Sequence, residues 1–276
     1  MTLRHLLNHR AGIPSVPLEY DPLALAHDWD RIIALLCDQK PVSAAGRRLA
    51  YHAISGGFIL GEAAQRATGE SVTALLQRII VEPLGIDMGY GVTPDRNDAV
   101  AENAFTGLPV PFPIARIVKR SLGLSMEEAV SASNDPRFLS SVIPSGNIVT
   151  NADGLSRFFQ LLLDEGVAGG RQVLDRRAVR RARVESAYFE FDFTLGLPIR
   201  YGQGLMLGAR PFSMFGPNTR QAFGHYGFIN IIGWADPERQ LAGALLTSGK
   251  PIVANNLGPL WRLLGAIAKG IPRHPV

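Results

Sequence analysis

The chain has 276 residues, 46% of them hydrophobic and 19% charged, enough to bury a sizeable core and too apolar for a disordered or low-complexity segment. Its formal charge of +4 comes from arginines that are scattered except for Arg176, Arg177, Arg180, Arg181 and Arg183. That cluster reads as a solvated helix face, and with no aromatic platform beside it nucleic-acid binding is excluded.

In chain order, Thr2 is placed to cap a short helix ended by Gly12 and Pro14. A proline-bearing loop runs to about Ala26, and Asp28 caps a second amphipathic helix, WDRIIALLCDQ. Cys37 lies in its apolar run and is expected in the core; as the single cysteine it allows no internal disulfide. No apolar run is long enough for a membrane span and no signal pattern opens the chain, so as given it reads as cytoplasmic unless a signal or anchor lies upstream of Met1.

The stretch from Leu49 to Gly69 is the organising element of the chain. From Ile54 the apolar positions Phe58, Ile59, Ala63 and Ala67 recur at helical spacing, predicting a helix with one buried face that closes on Gly69. Tyr51 stands at its mouth. A phenol held there is either a general base, if nearby cations lower its pKa from about 10, or an ordinary amphipathic tyrosine at a helix start.

Ser71 caps the next helix, which Pro83 is expected to break. Residues 85 to 124, rich in glycine and proline, read as irregular loops over the mouth of a site. Ser125 begins a short helix with acidic residues in its first turn. A tight turn at Ile143 to Asn147 leads to Asn151, which caps a helix burying Leu155, Phe158, Phe159 and Leu162. Asp175 to Val184 is predicted helical.

The last third changes to strand patterning. Tyr201 to Leu207, Ala222 to Trp234 and Gln240 to Thr247 are apolar runs of strand length, predicted to pair antiparallel, with Asp236 to Arg239 as a hairpin turn. A terminal helix, Asn255 to Lys269, presents Leu257, Leu260, Trp261, Leu264 and Ile267 to cover them. Helices first and an antiparallel sheet last give an α+β chain: a sheet flanked by helices plus a helical region. One domain is expected, helical to about residue 185 and sheet with helix from about 200 to 270.

No metal or cofactor is expected: the six histidines are dispersed, H-E-x-x-H is absent and no glycine-rich nucleotide loop occurs. G-x-S-x-G is missing too. What remains is Tyr51 with Gly224-His225-Tyr226-Gly227 on a predicted strand. Flanking glycines let a substrate approach the sheet edge, and a following backbone N–H suits a developing oxyanion. The alternative is a buried strand histidine between packing glycines.

Five ordered segments carry a resemblance: TLRHLLNHRAGIP, AYHAISGGFILGEAAQRATG, IIVEPLGI, IPSGNIVTNADGLSRFFQLLL and FGHYGFINIIGWADPERQLAGALLTSG. Together they resemble the class C β-lactamase-like serine hydrolases of penicillin-binding-protein fold, including the family VIII carboxylesterases, over nearly the whole chain. The resemblance implies that Tyr51 activates the nucleophile and protonates the leaving group. It implies that His225 stands where true β-lactamases carry the lysine of K-T-G, with Gly227 closing the triplet and the Phe228 N–H giving half of the oxyanion hole.

Two departures accompany it. Where many relatives have Y-x-N, this chain has Tyr51-His52-Ala53, which is closer to the esterase branch. The second is larger: S-x-x-K is absent, since three positions before the four lysines stand Cys37, Arg116, Thr247 and Ala266. Cys37 lies too close to Tyr51 to replace the serine, whose place in the family is upstream of Thr2. The expectation is a β-lactamase/transpeptidase-like fold, N-terminally truncated, with an unpaired sheet edge prone to self-association. Its function is either a serine hydrolase that cleaves short-chain carboxylic esters through an acyl-enzyme, taking a small-molecule ester or amide substrate, its Ser and Lys missing from this chain, or a non-catalytic remnant or relative of the same fold that binds a ligand or partner.

Overall fold

The computed structural model describes residues 1–16, 22–227, 231–251 and 257–274. Its centre is a six-stranded antiparallel sheet built from β1 (Ala187–Asp192), β2 (Leu197–Tyr201), β3 (Met206–Leu207), β4 (Phe223–Tyr226), β5 (Ile232–Asp236) and β6 (Leu241–Leu245), in simple sequential order. Because side chains alternate across a strand, neighbours on β5 serve opposite layers. Ile232 and Trp234 pack with Leu264, Leu260 and Ile267 of the terminal helix, whereas Ala235 packs with Phe159 and Leu162. Small residues set the spacing. A Cβ at Gly233 would lie 2.2 Å from the Phe159 ring, and one at Gly243 would lie 2.6 Å from the Trp234 ring.

The larger helices are α1 (Leu3–Leu7), α2 (Trp29–Asp38), α3 (Ser55–Thr68), α4 (Val72–Leu76), α5 (Phe112–Leu122), α6 (Met126–Ser133), α7 (Ala152–Leu163), α8 (Arg176–Ala182) and α9 (Leu257–Gly270). Their starts follow the predicted caps. Thr2, Asp28, Ser71, Asn151 and Asp175 each accept a backbone N–H of the first turn, and Ser125 with Glu128 forms a reciprocal capping box. Gly69 ends α3 at φ 74°, a left-handed conformation that glycine adopts without steric cost. The faces of α2 and α3 meet in a helical-region core of Ile32, Leu36, Phe58, Ile13 and Ile143.

Several expectations are corrected. Cys37 is exposed: Ile32 and Leu36 take the buried face of α2, and the next residue is turned about 100° away. Pro83 does not break its helix. The chain continues from α4 through a π turn, Gln77–Val81, to Leu84; this wider register accommodates a ring that clashes with the carbonyl four residues back in an α-helix. Residues 85–124 hold α5, because prolines at the start of a helix sit where an N–H lacks a partner anyway.

The run Ala222 to Trp234 is two strands, β4 and β5, closed at Gly227, whose N–H donates to the Ile231 carbonyl at 2.8 Å. The sheet also begins earlier than expected, at Ala187. Trp261 is not part of the buried face of α9 but lies near Phe212, ring centroids 6.0 Å apart.

Candidate active site

Tyr51 lies four residues before α3, in an extended segment clamped from both sides. The Ala50 N–H donates to the His9 carbonyl (2.9 Å), and the Phe193 N–H donates to the Leu49 carbonyl (2.9 Å). The Tyr51 N–H donates to Oδ1 of Asp192 at 3.1 Å. Asp192 is buried at the end of β1, where the same oxygen also receives the N–H groups of Thr194 (2.8 Å) and Leu195 (2.9 Å). Its second oxygen accepts the Tyr201 hydroxyl at 3.4 Å. One carboxylate thus ties the edge of the sheet to the segment that presents the tyrosine.

Three imidazoles surround the phenol. The His9 ring meets Tyr51 edge-on at 4.8 Å between centroids, and the His225 ring lies 5.6 Å from it on the opening strand β4. His52 is buried behind them. Its Nε2 accepts the Ile13 N–H at 3.2 Å, so its proton sits on Nδ1, which donates to the Ala50 carbonyl at 2.5 Å. His9 accepts the His52 N–H on Nδ1 (3.3 Å), which places its proton on Nε2; that buried atom has no hydrogen-bond partner among the described residues. His225 sets its Nδ1 against the Tyr226 carbonyl at 2.6 Å, leaving Nε2 as an acceptor.

The electrostatics run opposite to a tyrosine base assisted by cations. Burial, and then the charge of Asp192, push the Tyr51 hydroxyl up to about 12. Burial also lowers all three histidines. His9 falls to about 3, with His52 and His225 adding to the effect, and His52 and His225 fall despite the backbone carbonyls that favour their protonated forms. At neutral pH the site therefore presents a phenol donor, a neutral imidazole acceptor at His225 and an unpartnered N–H at His9.

These groups line a cavity of about 620 Å³ whose far wall is apolar, formed by Leu60, Ala64, Leu75 and Ile79 from α3, α4 and the π turn. Tyr51 and His225, remote in sequence, share it. Gly227 is exposed and its N–H is taken by Ile231, while Phe228 lies outside the described residues. Asp192, His9 and Tyr201 were not singled out from the sequence. Acids alternating with aromatics in the run YFEFDF, Glu190 and then Asp192, were the available signal for Asp192.

A profile of the family described as Beta-lactamase matches residues 1–265. The chain belongs to the Beta-lactamase family. It is 25% identical over 268 residues to Esterase/beta-lactamase LipL of Mycobacterium tuberculosis (strain ATCC 25618 / H37Rv), an alignment covering 89% of this chain and 58% of that protein. The chain thus spans little more than half the length of this curated relative. Among solved structures, a penicillin-binding protein homolog from Caulobacter crescentus superposes with TM-score 0.81 at 25% identity, covering 98% of this chain and 71% of that one. A family VIII carboxylesterase superposes with TM-score 0.80 at 26% identity, covering 97% and 71%. EstA from Arthrobacter nitroguajacolicus Rue61a, at 21% identity over 98% of this chain and 73% of that one, shares the fold with TM-score 0.77. The β-lactamase/transpeptidase-like architecture is therefore that of this chain, and its family is one of hydrolases and esterases.

Proposed function

We propose that this chain carries the proton-handling wall of a serine hydrolase that cleaves short-chain carboxylic esters through an acyl-enzyme. The observation that carries the reading is the meeting of Tyr51 and His225 on one cavity, with rings 5.6 Å apart and an apolar wall opposite. In this reading a serine attacks the ester carbonyl, the Ser–O bond to the acyl carbon forms and the alkoxide leaves with a proton relayed by Tyr51. Water then cleaves the acyl-enzyme. His225 orients the substrate, and the Phe228 N–H serves as half of the oxyanion hole.

The sequence holds no S-x-x-K, so the nucleophile and its lysine are not among these 276 residues. A second reading has its own support: with Tyr51 held at about 12, this polypeptide alone binds an ester-like ligand without turning it over.

Two measurements test these readings. Titration calorimetry with a short-chain alkyl methyl ketone, isosteric with an ester but without a leaving group, is expected to show saturable binding weakened by Tyr51→Phe and by His225→Ala. Absence of binding to folded protein sinks the assignment of the cavity. Intact mass after excess fluorophosphonate is expected to be unchanged; a stoichiometric adduct lost in Tyr51→Phe would reveal a nucleophile in this chain and overturn its assigned absence.

A further inference from the structure

Away from the cavity, one helix and the hairpin it abuts carry exposed apolar side chains and solvent-facing cations. Helix α5 is amphipathic and sits at the tip of the β1–β2 hairpin, where Ile117 packs so closely on Gly196 that a Cβ there would be 2.9 Å from its Cδ1. Beside this junction Phe112 is 79% exposed and Leu108 62%, with Ile114 also exposed. On the hairpin side Phe191 and Phe193, on one side of β1 with ring centroids 5.2 Å apart, are each close to half exposed. Single exposed apolar residues need no explanation, but five around one helix and one hairpin mark an interaction surface.

The charges on this surface narrow the partner. Arg116 and Lys119 project from α5 into solvent, and Arg48 lies 4.5 Å over the Phe193 ring. Arg116, Lys119 and Arg48 have no ion pair among the described residues, whereas Glu190 on β1 is already paired with Arg10. Beneath α5 an opening of about 570 Å³ is lined by Val110, Phe112, Val118 and Met126, with Arg116, Lys119 and Glu127 also bordering it. Apolar side chains flanked by lysine and arginine on a surface helix are the composition of an interfacial lipid-binding element. A second copy of the chain fits poorly, since a two-fold pairing of this surface would set its cations against themselves.

We propose that α5 and the β1–β2 hairpin dock on an anionic lipid surface, with Phe112 and Ile114 entering the acyl boundary and Arg116 and Lys119 at the headgroups. The test is co-sedimentation of the full chain with large unilamellar vesicles, either of equal parts phosphatidylglycerol and phosphatidylcholine or of phosphatidylcholine alone. Binding is expected to the anionic vesicles and to fall with salt. Neutralising Arg116→Gln with Lys119→Gln should lower the partition coefficient about 25-fold, from about five-fold for each cation near such a surface. Phe112→Ser with Ile114→Ser should abolish it, while Arg177→Gln with Arg181→Gln, in the separate basic cluster of α8, should leave it unchanged.

Failure of the wild type to sediment with anionic vesicles would overturn the proposal, as would equal losses in the α8 pair. So would a lipid-independent dimer, seen by sedimentation velocity and lost in the Phe112 and Ile114 pair. Saturable binding of monomeric decanoate without vesicle binding would likewise replace the surface by a single-amphiphile site. Unchanged melting temperatures show that the variants are folded.

Discussion

Replacing Asp192 tests whether one buried carboxylate both holds the sheet edge to the Tyr51 segment and sets the charge state of the phenol. In Asp192→Asn the oxygen that receives the N–H groups of Tyr51, Thr194 and Leu195 remains but loses its charge. Hydrogen bonds to charged acceptors contribute about 1.5–3 kcal/mol against about 0.5–1.5 for neutral ones, so three weakened bonds cost about 3 kcal/mol. Relief of the buried charge offsets part of this, leaving a net loss of about 1–3 kcal/mol. Asp192→Ala strands three N–H groups and the Tyr201 hydroxyl, and should lose about 3–6 kcal/mol.

The two variants are compared by urea denaturation, and the Tyr51 titration is followed by NMR of chain labelled at tyrosine Cζ. Burial is the larger cause of the raised phenol and Asp192 the smaller. The Asn variant should therefore titrate Tyr51 below the wild type's value of about 12 and still above the ordinary value near 10. The unfolded chain gives up this proton first, so the Tyr51 contribution to wild-type stability is complete below about pH 10 and is lost as pH rises toward 12. Equal stability of wild type, Asn and Ala forms, or a Tyr51 titration indifferent to Asp192, would refute the reasoning.

Two further perturbations probe the same physics elsewhere. His9 is lowered to about 3, so the unfolded chain takes up a proton near its ordinary pKa of about 6.5 while the folded chain does not. Its contribution to stability is present above that pH and lost as pH falls toward 3, with His52 and His225 acting in the same direction. Melting temperatures measured from pH 7 to 4 should fall less steeply in His9→Asn than in the wild type; an unchanged slope would mean that His9 is protonated in the fold. Among the glycines, Gly233→Ala should cost about 1–3 kcal/mol, because its methyl group meets the Phe159 ring at 2.2 Å. Gly265→Ala, in the interior of α9 with nothing within 4 Å of the added carbon, should stabilise by about 1 kcal/mol. Denaturant midpoints of both decide the matter, and a loss at Gly265 would contradict the open surface there.

Much of the local structure was legible because its causes are local. The side chains of Thr2, Asp28, Ser71, Ser125, Asn151 and Asp175 satisfy N–H groups three residues away, so each of these helix starts could be read from its own neighbourhood. The buried face of α7 followed from periodicity for the same reason, whereas on α3 only Phe58 of the expected positions is buried and Ala67 is exposed. Prolines misled twice in the same direction, hiding helix where they stood. Pro83 is absorbed by a π turn, and Pro111 and Pro113 open α5 instead of forming a loop. In each case the outcome depends on which backbone groups lack partners, which residue type alone does not reveal.

The sequence by itself determined the capped helices and the antiparallel terminal sheet, because these follow from short-range hydrogen bonding and alternation, and it pointed to Tyr51 and His225 only through the family resemblance. Only the tertiary structure decided the charge state of that pair. Tyr51 is raised and the three histidines are lowered by burial, and the Asp192 carboxylate reaches Tyr51 from a strand 141 positions further along the chain. Desolvation and long-range charge depend on what the fold brings within a few ångströms, a distance that chain separation does not encode.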